Sequence, residues 1–203
     1  MRNKSEFIAK FGVLLAIEAI FCFVPFLGSL RAFGPIVMTT MHIPVIITAI
    51  LLGTQAGTLM GFFAGVFSFI VWTFMPVDPF SAYLFTPFYS LGEYSGNIWS
   101  IAICFVPRIL IGTMAGVSYQ KFNKVKEDFR IGISALFGSL TNSIGVLGGV
   151  WLVFHSTLGG MQAAGIMVGT LIATNSIPEA ILAWLIAVAV CRALGHNRGE
   201  DRE

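Results

Sequence analysis

Residues 97–119, NIWSIAICFVPRILIGTMAGVSY, decide how this chain folds. The stretch is apolar over the roughly 20 residues that cross a bilayer's hydrocarbon core, yet Arg108 stands in its middle. An arginine does not escape by losing its proton. At a helix centre it costs roughly 2.5 to 3.5 kcal/mol on insertion scales, so it is expected to face the interior of a bundle beside a partner. Pro107 removes one helical donor and leaves the carbonyl of Ile103, one turn back, open to another hydrogen bond. The segment reads as a bent membrane helix with an interior cation.

The rest of the chain supplies the shield. It is 56% hydrophobic and 11% charged, with a mean hydropathy of +0.85, against about 25% charged residues in a soluble domain. Apolar runs long enough to span occur at about 9–27, 35–53, 57–74, 98–118, 133–154 and 166–191. The first follows Arg2, Lys4 and Lys10 as a secretory signal would, but Glu18 interrupts it, so it is read as a span. The expected fold is therefore an all-α integral membrane protein, a compact bundle of six transmembrane helices forming a single domain over 1–203.

Lysine and arginine set the orientation. Ten of the twelve basic residues stand before the first span, between the fourth and fifth, or after the sixth. Arg31 alone falls on the other side, so both termini are predicted to be cytoplasmic. The formal charge of +2 then reports topology and gives no reason to expect nucleic acid. Cys22, Cys104 and Cys191 lie within apolar runs at no metal-ligand spacing, so neither a disulfide framework nor a metal site is expected.

The predicted outer loops are 27–36, 75–97 and 155–165, longer than the turn at 53–57. The middle one, MPVDPFSAYLFTPFYSLGEYSGN, is long enough to form a lid. Glu93 and Tyr94 are its best-placed pair, with Asp78 and Tyr83 behind them; the alternative is an interfacial aromatic belt. Small residues recur four apart at Gly12 and Ala16, at Gly57, Gly61 and Gly65, and at Gly112 and Gly116. Each set shares a helix face and permits close backbone approach.

Polar residues inside the spans are the candidate site. Arg108 contacts a ligand or pairs with Glu18 or Glu179, and the sequence leaves that choice open. In ATNSIPEAILAW (173–184), Asn175 and Glu179 share a face, and Pro178 loosens the backbone between them. Asn142 lies in GSLTNSIGVLGG (138–149), where glycines leave room for its amide. His42 lies near an outer end in TTMHIPVI, and Trp72 and Trp151 lie near two others, where they either wall a pocket or belong to the belt. No phosphate loop, H-E-x-x-H, G-x-S-x-G or Cys/His cluster is present in the sequence, so uphill transport would draw its energy from elsewhere.

Four segments in order, MHIPVIITAILLGTQAGTLMGFFAGVFS (41–68), CFVPRILIGTMAG (104–116), GSLTNSIGVLGG and NSIPEAI (175–181), resemble the substrate-binding S component of energy-coupling factor (ECF) vitamin transporters, most closely the pantothenate type. The resemblance covers about residues 8–191. It implies a vitamin-binding subunit of a bacterial cell membrane importer, multi-pass, without catalytic activity or cofactor of its own. Its implied partners are a small-molecule vitamin, a membrane-embedded coupling protein and two ATPases. Toppling in the bilayer would expose the vitamin to the cytoplasm. Gly12 and Ala16 match the family's docking face for the coupling protein.

For pantothenate, Arg108 would meet the carboxylate, Asn142 and Asn175 the amide, and Glu179 the hydroxyls. Hydroxymethylpyrimidine or a pyridoxine-like vitamin is the nearest competitor, and folate a further one. Two readings come from other classes. An intramembrane enzyme using Glu179 or Glu18 with Arg108 lacks a nucleophile or metal, and a channel would need its polar stripe to continue through the cytoplasmic half.

Overall fold

In the computed structural model of the chain, residues 4–24, 27, 29–33, 36–76, 82–92 and 94–194 are described. The decisive segment is helix α4, Ile98–Lys121, and its start is written locally. Asn97 accepts from the Trp99 N–H at 2.9 Å and Ser100 Oγ accepts from the Asn97 N–H at 3.1 Å, closing a capping box. Ser100 also donates to the Tyr83 carbonyl at 2.9 Å, tying the helix start to the preceding loop.

Around it stand α1 (Lys4–Phe23), α2 (His42–Leu52), α3 (Thr54–Phe74) and α5 (Glu127–Phe154). The last rod comprises α6 (Met161–Leu171), a π-turn (Ile172–Ser176) and α7 (Ile177–Ala193). Two antiparallel hairpins complete the described chain: β1 (Ser29–Phe33) with β2 (Ile36–Thr39), and the two-residue strands β3 (Ser90–Leu91) and β4 (Tyr94–Ser95). Four rods, α3, α4, α5 and the α6–α7 rod, are long and apolar enough to cross a membrane alone. The 20-residue α1 carries Lys4, Glu6, Lys10 and Glu18, and α2 has only 11 residues.

The apolar run 35–53 is thus not one helix. Residues 36–39 form the strand that returns to pair with 29–33, with Ser29 opposite Thr39. Ile36, Val37 and Thr39 are β-branched, and an unbroken apolar run does not by itself distinguish strand from helix. Gly53, at φ +101°, then breaks the chain between α2 and α3 in one residue.

α2 is the hub. Ile43, Val45, Ile46 and Ala49 are buried, as suits a helix apolar all round, and α2 packs against α1, α3, α4, α5 and α7. The expected small-residue faces are real seams. A Cβ on Gly61 would meet the Arg108 carbonyl, and one on Gly112 would meet the Gly57 carbonyl, so α3 and α4 touch backbone to backbone. On α5, Gly145 abuts the Pro107 ring and Gly149 the Ile103 side chain. Gly12 differs: it is exposed, and its added Cβ would meet nothing within 4 Å.

The end opposite the hairpins is held by polar ties. Arg130 stacks on Tyr119 at 3.8 Å, donates to its carbonyl at 2.7 Å and pairs with Glu127 at 3.1 Å, and Glu127 accepts from the Tyr119 hydroxyl. Asp128 receives a fork of two hydrogen bonds from Arg192. These join α4 to α5 and α5 to α7. Large apolar side chains elsewhere face outward, Phe74 at 75% exposure and Ile98 at 70% among them, which suits a bilayer as solvent.

Candidate functional site

A cavity of about 290 Å³ lies among α2 to α7, toward the hairpin end of the bundle. That is the lower end of small-molecule sites. Every helix except α1 contributes to its wall among the described residues. α2 and the end of β2 supply Thr39, His42 and Val45; α3 supplies Ser68 and Trp72; α4 supplies Arg108. α5 brings Asn142 and Ser143, and the last rod brings Asn175 and Glu179. The structure therefore gathers Arg108, Asn142, Asn175, Glu179, Trp72 and His42 at one place.

Arg108 is held by its surroundings. Its Nη1 donates to the Ile103 carbonyl at 3.1 Å, the acceptor that Pro107 frees, and its guanidinium lies 5.2 Å from the Phe85 ring centroid. Phe85 in turn stacks on Trp72 at 4.8 Å and 22°. No carboxylate lies within ion-pairing distance of Arg108 among the described residues. Glu18 is fully buried instead with Cys22, whose thiol faces its Oε1 at 3.4 Å, and Glu179 is engaged elsewhere. Of the three arrangements open to Arg108, both internal ion pairs are thus unmade.

Several other wall groups carry unused hydrogen-bonding capacity. His42 is 3% exposed, and neither ring nitrogen has a partner among the described residues. Asn175 Oδ1 is buried and also without one. Leaving such groups unmatched costs roughly 1 to 3 kcal/mol each, and a ligand is one way to satisfy them. Asn175 sits inside the π-turn, where Ile177 bonds back to Ile172. A π-turn inserts one residue and resets the face shown by the helix beyond it, and such turns concentrate at functional sites. Glu179 Oε1 accepts from the Thr39 N–H at 2.6 Å and from the Thr39 hydroxyl at 3.1 Å.

The long loop contributes differently from the expectation. Tyr94 is exposed and stacks on Tyr83 at 5.8 Å, away from the cavity wall, while Glu93 and Asp78 lie outside the described residues. What enters the wall is Leu84 and Phe85. One phenylalanine among nineteen gives no local signal in the sequence of its contact with Arg108. Thr39 is hidden in the sequence for another reason, because it lies in a run that reads as a span. Trp151 donates to the Met161 carbonyl at 3.3 Å and braces α5 against α6, outside the wall.

Comparison with known proteins gives concordant results. A family model described as "ECF transporter, substrate-specific component" matches residues 6–191. Over 202 residues the chain is 32% identical to the pantothenic acid transporter PanT of Lactococcus lactis subsp. cremoris, covering 98% of this chain and 99% of that one. It is 27% identical over 198 residues to the pantothenate transporter PanT of Leuconostoc mesenteroides subsp. mesenteroides, covering 92% and 82%. In fold it is similar to the crystal structure of the S component for biotin from an ECF-type ABC transporter, with a TM-score of 0.57, 19% identity and 95% of each chain covered.

Proposed function

The chain belongs to the substrate-specific components of ECF transporters, and from that membership we propose that its ligand is pantothenate, bound in the cavity around Arg108. Members of this family are membrane-embedded, substrate-binding transport subunits rather than enzymes, and they work with a coupling membrane protein and ATPases. The observation that carries the ligand assignment is the guanidinium of Arg108: inside the cavity, fixed by Ile103 and Phe85, and lacking a carboxylate among the described residues. A carboxylate-bearing ligand completes it, because guanidinium and carboxylate match in a two-bond fork. Pantothenate offers that group, an amide for Asn142 and Asn175, and hydroxyls for His42. The curated relatives are pantothenate transporters, which supports the same choice.

The hairpin end is the outer face in this reading, and both termini are cytoplasmic, since Lys121, Lys124, Lys126 and Arg130 gather at the other end. The whole chain forms one six-helix membrane domain, with α1 alongside the four longer rods and the 11-residue α2 buried among them. The exposed Gly12 and Ala16 on α1, the rod that takes no part in the cavity wall, form the face for the coupling protein, and two ATPases complete the assembly.

Titrating the detergent-solubilised protein with pantothenate tests the assignment, by tryptophan fluorescence and by calorimetry. Biotin, pyridoxine, hydroxymethylpyrimidine and folate serve as controls. Saturable binding of pantothenate alone is expected; preference for a control would keep the family and replace the ligand.

A further inference from the structure

We infer that Glu179 serves ligand binding through Thr39, as a positioning residue that fixes the end of the β1–β2 hairpin in the cavity wall. The inference rests on reading the cavity as the ligand site. The resemblance implies that Glu179 accepts from ligand hydroxyls; its Oε1 takes two donors from one residue 140 positions away, the Thr39 N–H at 2.6 Å and the Thr39 hydroxyl at 3.1 Å, so this oxygen is given to the hairpin. Thr39 ends β2, opposite Ser29, and both Thr39 and Glu179 line the cavity. A ligand that displaced Thr39 from the carboxylate would leave a part-buried backbone N–H in the wall without its acceptor.

The neighbouring structure points the same way. The next residue, Thr40, donates to the Leu27 carbonyl and so closes the hairpin on itself, leaving the Glu179 contact as a tie from β2 to a helix. β2 also packs against the π-turn, which directly precedes α7, and that turn sets the face α7 presents at Glu179. Strand, π-turn and carboxylate thus form one corner of the wall.

Both Thr39 groups are donors, so the tie requires an acceptor and not a charge. Glu179→Gln keeps the acceptor oxygen; Glu179→Ala removes it; Thr39→Val removes the hydroxyl and keeps the N–H. Two measurements on the purified full chain separate the roles. One is the dissociation rate of pantothenate by stopped-flow fluorescence. The other is the rate of trypsin cleavage after Arg31, within β1, in the absence of ligand.

For Glu179→Ala, dissociation should accelerate about tenfold or more, the order expected for lost hydrogen bonds to a carboxylate, and cleavage after Arg31 should accelerate with it. Thr39→Val should fall between this variant and wild type on both measurements, and Glu179→Gln should stay within about threefold of wild type. If Glu179→Ala does not fold, the other two variants still decide the matter. Faster dissociation with unchanged cleavage, or the reverse, overturns the proposal, as does a Glu179→Gln variant impaired like Glu179→Ala. Should the wild type not bind pantothenate, the ligand assignment fails, and the cleavage series alone then tests the tie.

Discussion

Arg108 is held from behind and open in front. The Ile103 carbonyl and the Phe85 ring fix the guanidinium, yet no carboxylate neutralises it among the described residues. Arg108→Ala should therefore weaken pantothenate binding by roughly 30- to 160-fold, the worth of a charge-assisted fork at about 2 to 3 kcal/mol. Arg108→Lys should fall between, because a point charge replaces a planar fork. Calorimetry reads both. Thermal unfolding should change little; a large loss of stability at unchanged affinity would make the cation structural. Trp72 provides a second test, being the tryptophan in the wall: Trp72→Phe should abolish the ligand-induced fluorescence change although Trp99, Trp151 and Trp184 remain. Much of this is legible in the sequence. The bond to Ile103 follows from Pro107 standing beside Arg108, a local relation. Phe85 is not legible, because its place over Arg108 depends on a loop folding back across the bundle. That His42 has no partner among the described residues is equally hidden, since whether a buried imidazole is paired depends on how its neighbours are placed.

The glycine spacings point to seams between helices, and the structure identifies which glycines are pressed and which are free. At Gly61 an added Cβ would strike the backbone of Arg108, whereas at Gly12 it would meet nothing within 4 Å. Gly61→Ala should destabilise the protein by about 1 to 3 kcal/mol, the usual cost of overpacking. It should also weaken ligand binding, since α4 must move where it carries Arg108. Gly12→Ala should do neither. Thermal unfolding in detergent and a pantothenate titration of the two variants make the comparison; equal behaviour would mean that the α3–α4 seam relaxes freely. Where sequence and structure part at this scale is the run 35–53. Hydropathy gives the length of an apolar run but not its backbone, and in 36–39 pairing with 29–33 prevails over helix. Thr39 consequently ends a strand, which is why its N–H reaches Glu179 instead of bonding within a helix.

For the whole molecule, the division of labour among the rods matters most. α2 to α7 enclose the cavity, while α1 stands outside its wall and exposes Ala9, Gly12 and Ala16. Distribution of charge gives the orientation test. Cys22, Cys104 and Cys191 are all buried, so a cysteine introduced at exposed Ser95 or Lys124 reports alone. A membrane-impermeant maleimide should label Ser95→Cys in intact cells and Lys124→Cys only after lysis; the reverse would invert the proposed topology. The face on α1 gives the last test, because binding and transport need not fail together. Gly12→Leu and Ala16→Leu enlarge exposed positions that touch nothing in the cavity, so pantothenate affinity should stay within about twofold, the scale of ordinary surface substitutions. Uptake by cells should nevertheless collapse if that face must lie flush against the coupling protein, since small residues permit close helix approach and leucine does not. Uptake at the wild-type level would place the docking face on another rod, whereas loss of affinity in step with uptake would mean that α1 supports the cavity after all.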